Sequence, residues 1–540
     1  MTKVHQAVAR ALADNGVEIM FGVMGHSNMK YIAAHTDVHG GQYIAAKHEA
    51  GATGMADGYA RLTRKVGVVT VTHGPGVTNT ITALTEAVRA RTPLLLLTSE
   101  SPSARREHSQ ALDIPATVAP TGALYHRIKR PQDVVDDIGR AFRRVCVERR
   151  PLVLDLPADI ADLETEYAAS PYGAVVPQPV EPDAAAVDAA LGYLLSANRP
   201  VLLAGRGAVL AGAGEAIAAL ADRTGALLAT TVLARGLFAG HPHNLGIYGT
   251  LATSGALAAI AQADCVVSFG AGLNEKTTDN GRLLRGKAVV QTDIEEAQLA
   301  RYQLPQCGVV GDARKTAEAM AGQLAAAGVD RARDHSGHLA ALNVSEPDGE
   351  PAGPSRDGTV SLRAAMLALG KVLPARRSLV TDGGRFMLSV WRWLDAGDPA
   401  SCLYLNNFGS LGLGLGAAVG AAAARPDQLC LAVLGDGGAM ASLLELETAV
   451  HYGLPLAVVV ANDDSYGMEH QKLAEAGFEP RHADFSRPDL AAVARALGAR
   501  GVRITSASDL AGLTADTFDP ANLPLLIDIK TDVEAEFFDR

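Results

Sequence analysis

The sequence predicts an α/β protein of three domains, each a doubly wound parallel sheet flanked by helices. Three observations predict it. Short runs of β-branched residues and leucine recur along the 540 residues and are apolar throughout instead of alternating, the mark of strands covered on both faces. Helical patterns separate these runs, the rhythm of parallel strands joined by crossovers. Two stretches break the rhythm: 168–183 (AASPYGAVVPQPVEPD), rich in Pro and small residues, and 343–359 (NVSEPDGEPAGPSRDGT), polar and rich in Pro and Gly. Both read as linkers, marking off units 1–167, 184–342 and 360–540. At ~100–200 residues per domain, the length also asks for about three.

Composition removes whole classes of partner. Lys+Arg number 48 against 59 Asp+Glu, a net charge of -11 that argues against nucleic acid. Hydrophobic residues at 48% and charged residues at 20% supply a large core and exclude wholesale disorder. No apolar run reaches the ~18 residues of a membrane span; the nearest, 411–424, is diluted by glycine. The start MTKVHQAVARALADNG reads as an amphipathic helix, without the apolar region and cleavage site of a signal peptide. Five cysteines (146, 265, 307, 402, 430) show no CxxC pairing and fit a reducing, cytoplasmic setting.

The elements follow in order. In the first unit, a short strand near 42–46 leads into AAKHEAGATGMADGYAR, a helix opening at Glu49 whose Ala50, Gly54 and Gly58 form a stripe of small residues. Such a stripe permits close helix–helix contact, as at a subunit interface. A glutamate opening that helix is expected to be buried among apolar neighbours, with its pKa raised. VGVVTVT (66–72) is a strand, followed by a Gly74-Pro75-Gly76 turn and a helix; PLLLLTS (93–99) and PLVLDLP (151–157) are further strands. The middle unit has strands PVLLAG (200–205) and CVVSFG (265–270), and VVQTDIEE (289–296). Its Gly205 and Gly207 lack the third glycine of a dinucleotide fingerprint, because residue 210 is Leu. The third unit carries NNFGSLGLGLGAAVGAA (406–422), with the glycine spacing of a phosphate or close-packing loop, then strands LCLAVLG (429–435), PLAVVVAN (455–462) and PLLIDIK (524–530).

The chemistry concentrates between 434 and 467. A strand ends at Leu434, turns through Gly435-Asp436-Gly437-Gly438, enters a helix expected over about 442–451, and returns as a strand ending in Asn462-Asp463-Asp464-Ser465. Both turns lie at C-terminal strand ends of one βαβ unit, where open parallel sheets bind ligands. Asp436 and Asp463 therefore project toward one edge. Oxygen donors of this kind suit a hard divalent cation that keeps part of its shell for phosphate oxygens, and the glycines let backbone N–H groups approach a phosphate. A lone Gly-Asp-Gly is ordinarily only a tight turn; the second acidic turn is what favours the ligand reading.

That spacing resembles the thiamin-diphosphate motif, and the rest of the chain resembles the superfamily of acetohydroxyacid (acetolactate) synthases, pyruvate and benzoylformate decarboxylases, benzaldehyde lyase and a cyclic-dione hydrolase. The closing pair is Asn462-Asp463 where that motif has two asparagines. The resemblance implies thiamin-diphosphate-binding folds in the first and third domains, which hold the pyrimidine and the diphosphate with Mg²⁺, and a Rossmann-like middle domain. It implies metal ligation by Asp436, Asp463 and the Ser465 carbonyl, and cofactor contacts from Gly435, Gly437, Gly438, Tyr466, Gly467 and Met468. It makes Glu49 the carboxylate that shares a proton with the aminopyrimidine, Leu411 the bulky residue beneath the cofactor, and Gly409 the carbonyl that receives its amino group. THGPGVTNTITALTEA (72–87) resembles the family's Gly-Pro-Gly turn. In synthases the middle domain carries FAD, but Leu273-Asn274-Glu275-Lys276 stands where an arginine-bearing stretch is expected, which weighs against FAD.

Substrate-facing candidates by the same resemblance are His26, Asn28, His73, Gln110, Glu469 and His470, with His26, His73, Gln110 and Glu469 as the catalytic set. The implied activity is decarboxylation of a 2-oxo acid such as pyruvate followed by carboligation, or by protonation to an aldehyde. The alternatives are a lyase or hydrolase of a 1,2-diketone or acyloin, and a catalytically silent cofactor-binding paralogue. The family's sites lie between subunits, so a homodimer or homotetramer is expected.

Overall fold

The computed structural model of the chain describes residues 1–102, 107–344, 356–395 and 397–532. The second linker expected, 343–359, lies mostly outside the described residues, as do the last eight positions of the third unit. Three six-stranded sheets are present, and every strand pairing recorded within them is parallel. The first and third sheets lie in one compact unit (1–177, 352–387 and 403–540), the middle sheet in another (178–351 and 388–402).

We number the strands of these sheets in chain order. The first holds β1 (Ile19–Gly22), β2 (Gln42–Ala45), β3 (Gly67–Thr70), β4 (Leu94–Thr98), β5 (Leu124–Arg127) and β6 (Leu152–Asp155), in spatial order β2-β1-β3-β4-β6-β5. The middle sheet holds β7 (Pro200–Ala204), β8 (Leu227–Thr230), β9 (Asn244–Ile247), β10 (Cys265–Phe269), β11 (Ala288–Asp293) and β12 (Cys307–Val310). Its order, β9-β8-β7-β10-β11-β12, is that of the Rossmann fold. The third holds β13 (Arg377–Asp382), β14 (Cys402–Leu405), β15 (Leu429–Gly435), β16 (Leu456–Asn462), β17 (Arg500–Ile504) and β18 (Leu525–Lys530). Its order, β14-β13-β15-β16-β18-β17, repeats that of the first sheet strand for strand. In both, connections leave the first and third strands toward opposite edges. The crevice at their C-terminal ends is the topological switch point where such sheets bind ligands.

The continuous apolar runs become fully buried central strands, as their composition requires: β4, β15 and β16 expose almost no side chain. The two sheets of the first unit are joined by a helix crossing. Helix α1 (Glu49–Thr63) lies on α3 (Gly414–Ala424), with α2 (Ile81–Arg89) beside α1. A Cβ at Gly58 would collide with the Ala417 carbonyl, and one at Gly420 with that of Met55. The stripe of small residues thus serves a contact within the chain, where a subunit interface was expected. Its target is the equally small-residue α3, which lets the two backbones touch. A buried ion network locks the same seam: Arg61 pairs with Asp57 and, at 3.2 Å, with Glu86, and donates to the Tyr404 carbonyl at 2.9 Å. All five cysteines are free thiols, and among the described residues no helix is long and apolar enough to cross a membrane.

Candidate functional site

At the switch point of the third sheet, three neighbouring strands deliver their C-terminal residues together. β13 ends in Asp382 and continues through Gly383 and Gly384 to Arg385; β15 ends at Gly435, followed by Asp436; β16 ends at Asn462, followed by Asp463. The register sets Thr381 beside Val433 and Gly435 beside Ala461, so these ends are level. The helix expected from about 442 starts earlier: α4 (Asp436–Ser442) begins at Asp436 with Gly435 as its N-cap, and α5 (Glu445–His451) follows. Glycine disfavours helix by about 1 kcal/mol relative to Ala, but here Gly437 and Gly438 are required by crowding. A Cβ at 437 would meet the Tyr466 ring at 2.7 Å, and one at 438 would strike Asp382.

Asp436 is buried. Its carboxylate accepts the Ser465 N–H at 3.1 Å and the Gly437 N–H at 2.9 Å. Asp463 accepts the Ser465 N–H at 3.1 Å and hydroxyl at 2.9 Å, and pairs through its other oxygen with Arg385 at 3.0 Å. Burial, and then the neighbouring Asp463, push the Asp436 carboxyl up to about 8. Burial also raises Asp463, while Arg385 and Ser465 pull it back down. Two adjacent carboxylates of this kind ionise together only against a positive charge. The all-oxygen donor set of Asp436, Asp463 and the Ser465 carbonyl fits a hard divalent cation.

The surrounding polar groups build the frame. Asn462 donates to Asp528 at 2.7 Å and accepts from Lys530 at 3.0 Å, so it braces the turn. Asp382, pushed up to about 6 by burial, accepts the Gly412 N–H at 2.6 Å and so anchors the 406–412 loop to β13. On that loop Gly409 is left-handed at φ 78° and Leu411 is exposed. Glu86 holds its other end, accepting from Phe408 N–H and Asn407 Nδ2 at 2.7 Å each. Gly467 opens α6 (Gly467–Glu475), followed by the half-buried Met468.

The matching edge of the first sheet carries imidazoles. His26 follows β1 and His73 follows β3, and the His73 ring meets that of His108 at 5.3 Å. Gly74, left-handed at φ 64°, turns the chain against Gln110; a Cβ there would sit 2.9 Å from Gln110 Cβ. His73 is buried with neither ring nitrogen hydrogen-bonded. Burial, then His108 and His26, lower its pKa below the ordinary 6.5 against the opposing effect of Gln110, which favours the neutral ring. An unpartnered buried imidazole beside a half-buried glutamine and an exposed His26 is suited to exchanging a hydrogen bond or proton with a small polar molecule.

The burial expected of Glu49 is corrected, and the other candidates are placed. Glu49 is half-buried, since the first position of α1 projects from the helix end; its carboxylate accepts Asn79 Nδ2 at 2.9 Å. The junction before it is fastened by Glu445, which accepts the Lys47 and His48 N–H groups at 3.1 Å each. Asn28 is buried and fully engaged in the turn, accepting Gly25 N–H at 2.7 Å and donating to Val23 and Thr70. Glu469 is exposed on the first turn of α6, and His470 is engaged by Asp484 at 2.8 Å. Sequence reasoning missed Asp382, Arg385, His108, Glu86 and Glu445; the Thr381-Asp382-Gly383-Gly384 turn after an apolar run was the one available signal. In the middle unit, Asp222, His241 and His243 bring possible ligand atoms within 4.8 Å. His241 Nδ1 accepts the His243 backbone N–H at 3.1 Å, which leaves the ring proton on Nε2 facing Asp222, and His243 Nε2 accepts the His335 N–H at 3.3 Å.

Three family models match, one for each sheet. They are the N-terminal TPP binding domain of thiamine pyrophosphate enzymes over residues 2–118, the central domain over 187–320 and the C-terminal TPP binding domain over 382–529. Among curated proteins, the acetolactate synthase large subunit of Haemophilus influenzae is 26% identical over 544 residues, covering 98% of this chain and 94% of that protein. The acetolactate synthase large subunit of Parasynechococcus marenigrum is 29% identical over 515 residues (92% and 83%). A sulfoacetaldehyde acetyltransferase of Alcaligenes xylosoxydans xylosoxydans is 28% identical over 545 residues (94% and 88%). With all three of its domains matched in order, the chain belongs to the thiamine pyrophosphate enzymes.

Proposed function

We propose that this enzyme uses thiamin diphosphate with Mg²⁺ to decarboxylate a 2-oxo acid such as pyruvate and to join the remaining carbon unit to a second carbonyl compound. The observation that carries the reading is the pair of level carboxylates at the third switch point, Asp436 buried and Asp463 half-buried. The likeness to acetolactate synthases and to an acetyltransferase supports carboligation. The cofactor, when bound, supplies an electron sink for a carbanion next to a carbonyl. The chain does the rest. Asp436, Asp463 and the Ser465 carbonyl hold the metal, and Gly435, Gly437 and Gly438 admit the diphosphate to the start of α4. Tyr466, Gly467 and Met468 border that pocket. Gly409 and Leu411 present a carbonyl and an apolar side chain from a loop fixed by Asp382 and Glu86. Glu49 holds a proton at the pyrimidine nitrogen, and neutral His73, with His26 and Gln110, orients the substrate carbonyl and moves its proton. Glu49 comes from one copy and the metal ligands from another, in a cytoplasmic homodimer or homotetramer.

One observation favours a second reading. Glu469 is exposed while the imidazoles cluster with Gln110, an arrangement that suits cleavage of a 1,2-diketone without decarboxylation. Product analysis by NMR after incubation with Mg²⁺, thiamin diphosphate and pyruvate, aldehydes or 1,2-diketones separates the two. Carbon dioxide release with an acyloin or acetohydroxy acid product supports the first, and carboxylate from diketone alone replaces it. Glu49→Gln should fold and bind cofactor yet lose exchange of the cofactor C2 proton; exchange at the native rate would remove Glu49 from its role.

A further inference from the structure

We propose that Arg385 is the built-in counter-charge of Asp463, so that an acidic residue serves at the metal position with no excess negative charge beside the diphosphate. The inference rests on the cofactor reading above and goes further by assigning a residue that reading leaves idle. Arg385 is buried at 7% exposure, and its guanidinium meets Asp463 Oδ2 at 3.0 Å. The two come from strand ends separated by β15, so their meeting is a product of the fold. The space they occupy is kept for them: a Cβ at Gly467 would approach Asp463 Oδ2 at 2.5 Å and Arg385 Nε at 3.0 Å.

The electrostatics follow. Asp436 and Asp463 without Arg385 would place two full negative charges against an incoming diphosphate, and the metal alone would have to answer all of them. Arg385, which also faces Asp532 and Asp436, makes the Arg385–Asp463 pair neutral as a unit, the same as a neutral amide at that position. Arg385 also competes with the metal for Asp463 Oδ2, leaving Oδ1 as the oxygen shared with Ser465. Arg385 is therefore a positioning residue acting through Asp463.

Titration of the purified apo chain with Mn²⁺, read by electron paramagnetic resonance without thiamin diphosphate, tests this in Arg385→Gln, Asp463→Asn and the double variant. Damage to the fold weakens metal binding in every variant, whereas charge pairing moves the singles in opposite directions. Arg385→Gln should bind Mn²⁺ about tenfold tighter and Asp463→Asn about tenfold weaker. The double variant should return to within about threefold of the native affinity. Weaker binding in Arg385→Gln, or a double variant as weak as Asp463→Asn alone, overturns the pairing. Thermal unfolding of the same four metal-free proteins is the second measurement: the pair predicts that each single variant unfolds earlier and that the double recovers part of the loss. Additive losses overturn it. Native protein that binds Mn²⁺ but never Mg²⁺ with thiamin diphosphate would overturn the cofactor reading while leaving the Arg385–Asp463 pair standing on the Mn²⁺ series.

Discussion

Where the first sheet reverses direction the chain presents imidazoles; where the third sheet does so, in the same strand order, it presents carboxylates and a guanidinium. The two edges also differ in how completely their polar groups are satisfied. Asp436, Asp463 and Arg385 are cross-bonded to one another's loops, whereas His73 keeps both ring nitrogens buried without a hydrogen bond. One topology thus yields a rigid charged cradle and a loosely engaged set of proton carriers. The difference lies in the few residues that follow β1 and β3 against those that follow β13, β15 and β16. A cradle must be preorganised to hold a permanent group, while groups that meet a transient substrate are left with bonding capacity to spare.

Four substitutions or conditions would break or sharpen that contrast. Asp436→Asn removes a ligand from the cradle and should lower activity and Mg²⁺-dependent cofactor affinity by about 10²-fold or more, by analogy with the ~10–100-fold lost even at outer-shell positions; cofactor titration by tryptophan fluorescence measures it. His73→Asn should cut kcat by about 10²-fold, the usual scale for a general acid–base group, while leaving the cofactor Kd within about twofold; a matching loss of cofactor affinity would erase the division between the edges. Acid should reveal the same histidine. Because its folded pKa lies below the ordinary 6.5, the native state binds fewer protons than the unfolded chain in that interval. The stability it contributes is complete above pH 6.5 and is lost as pH falls through the folded value. His35 and His243 are lowered by burial in the same way, whereas Asp382 and Asp436, raised to about 6 and about 8, take up protons over the same interval and gain stability as pH falls. The share of His73 is therefore read as a difference: between pH 7 and pH 5 the unfolding temperature of His73→Asn should move upward relative to that of the native protein. Glu469→Gln should change kcat by less than about twofold, as expected of an exposed surface position; a large loss would bring Glu469 back into the site and favour the decarboxylating reading.

Much of the fold was legible because buried parallel strands write themselves as unbroken apolar runs. LCLAVLG and PLAVVVAN became β15 and β16 almost to the residue. The two acidic turns were legible because strand ends and turns are local. What escaped was whatever depends on strands meeting across long separations. Arg385 and Asp463 lie 78 residues apart in the chain and are joined only through sheet order, so no spacing rule announces the pair. His108 was hidden likewise, reaching His73 from another loop. The start of α4 was set late because glycine propensity argued against helix, while the crowding that demands glycine is visible only in three dimensions. Glu49 was expected to be buried because its helix is buried, but a first-turn side chain follows the helix end and not its face.

The seam between α1 and α3 has a mechanical meaning. Helices that touch through Gly54, Gly58, Gly416 and Gly420 are separated by backbone alone, and sliding either by a turn would drive a side chain into a carbonyl. Shear, the usual small motion of packed helices, is therefore barred there. Within one chain, the first and third sheets are thereby held at a fixed spacing by backbone-to-backbone contact.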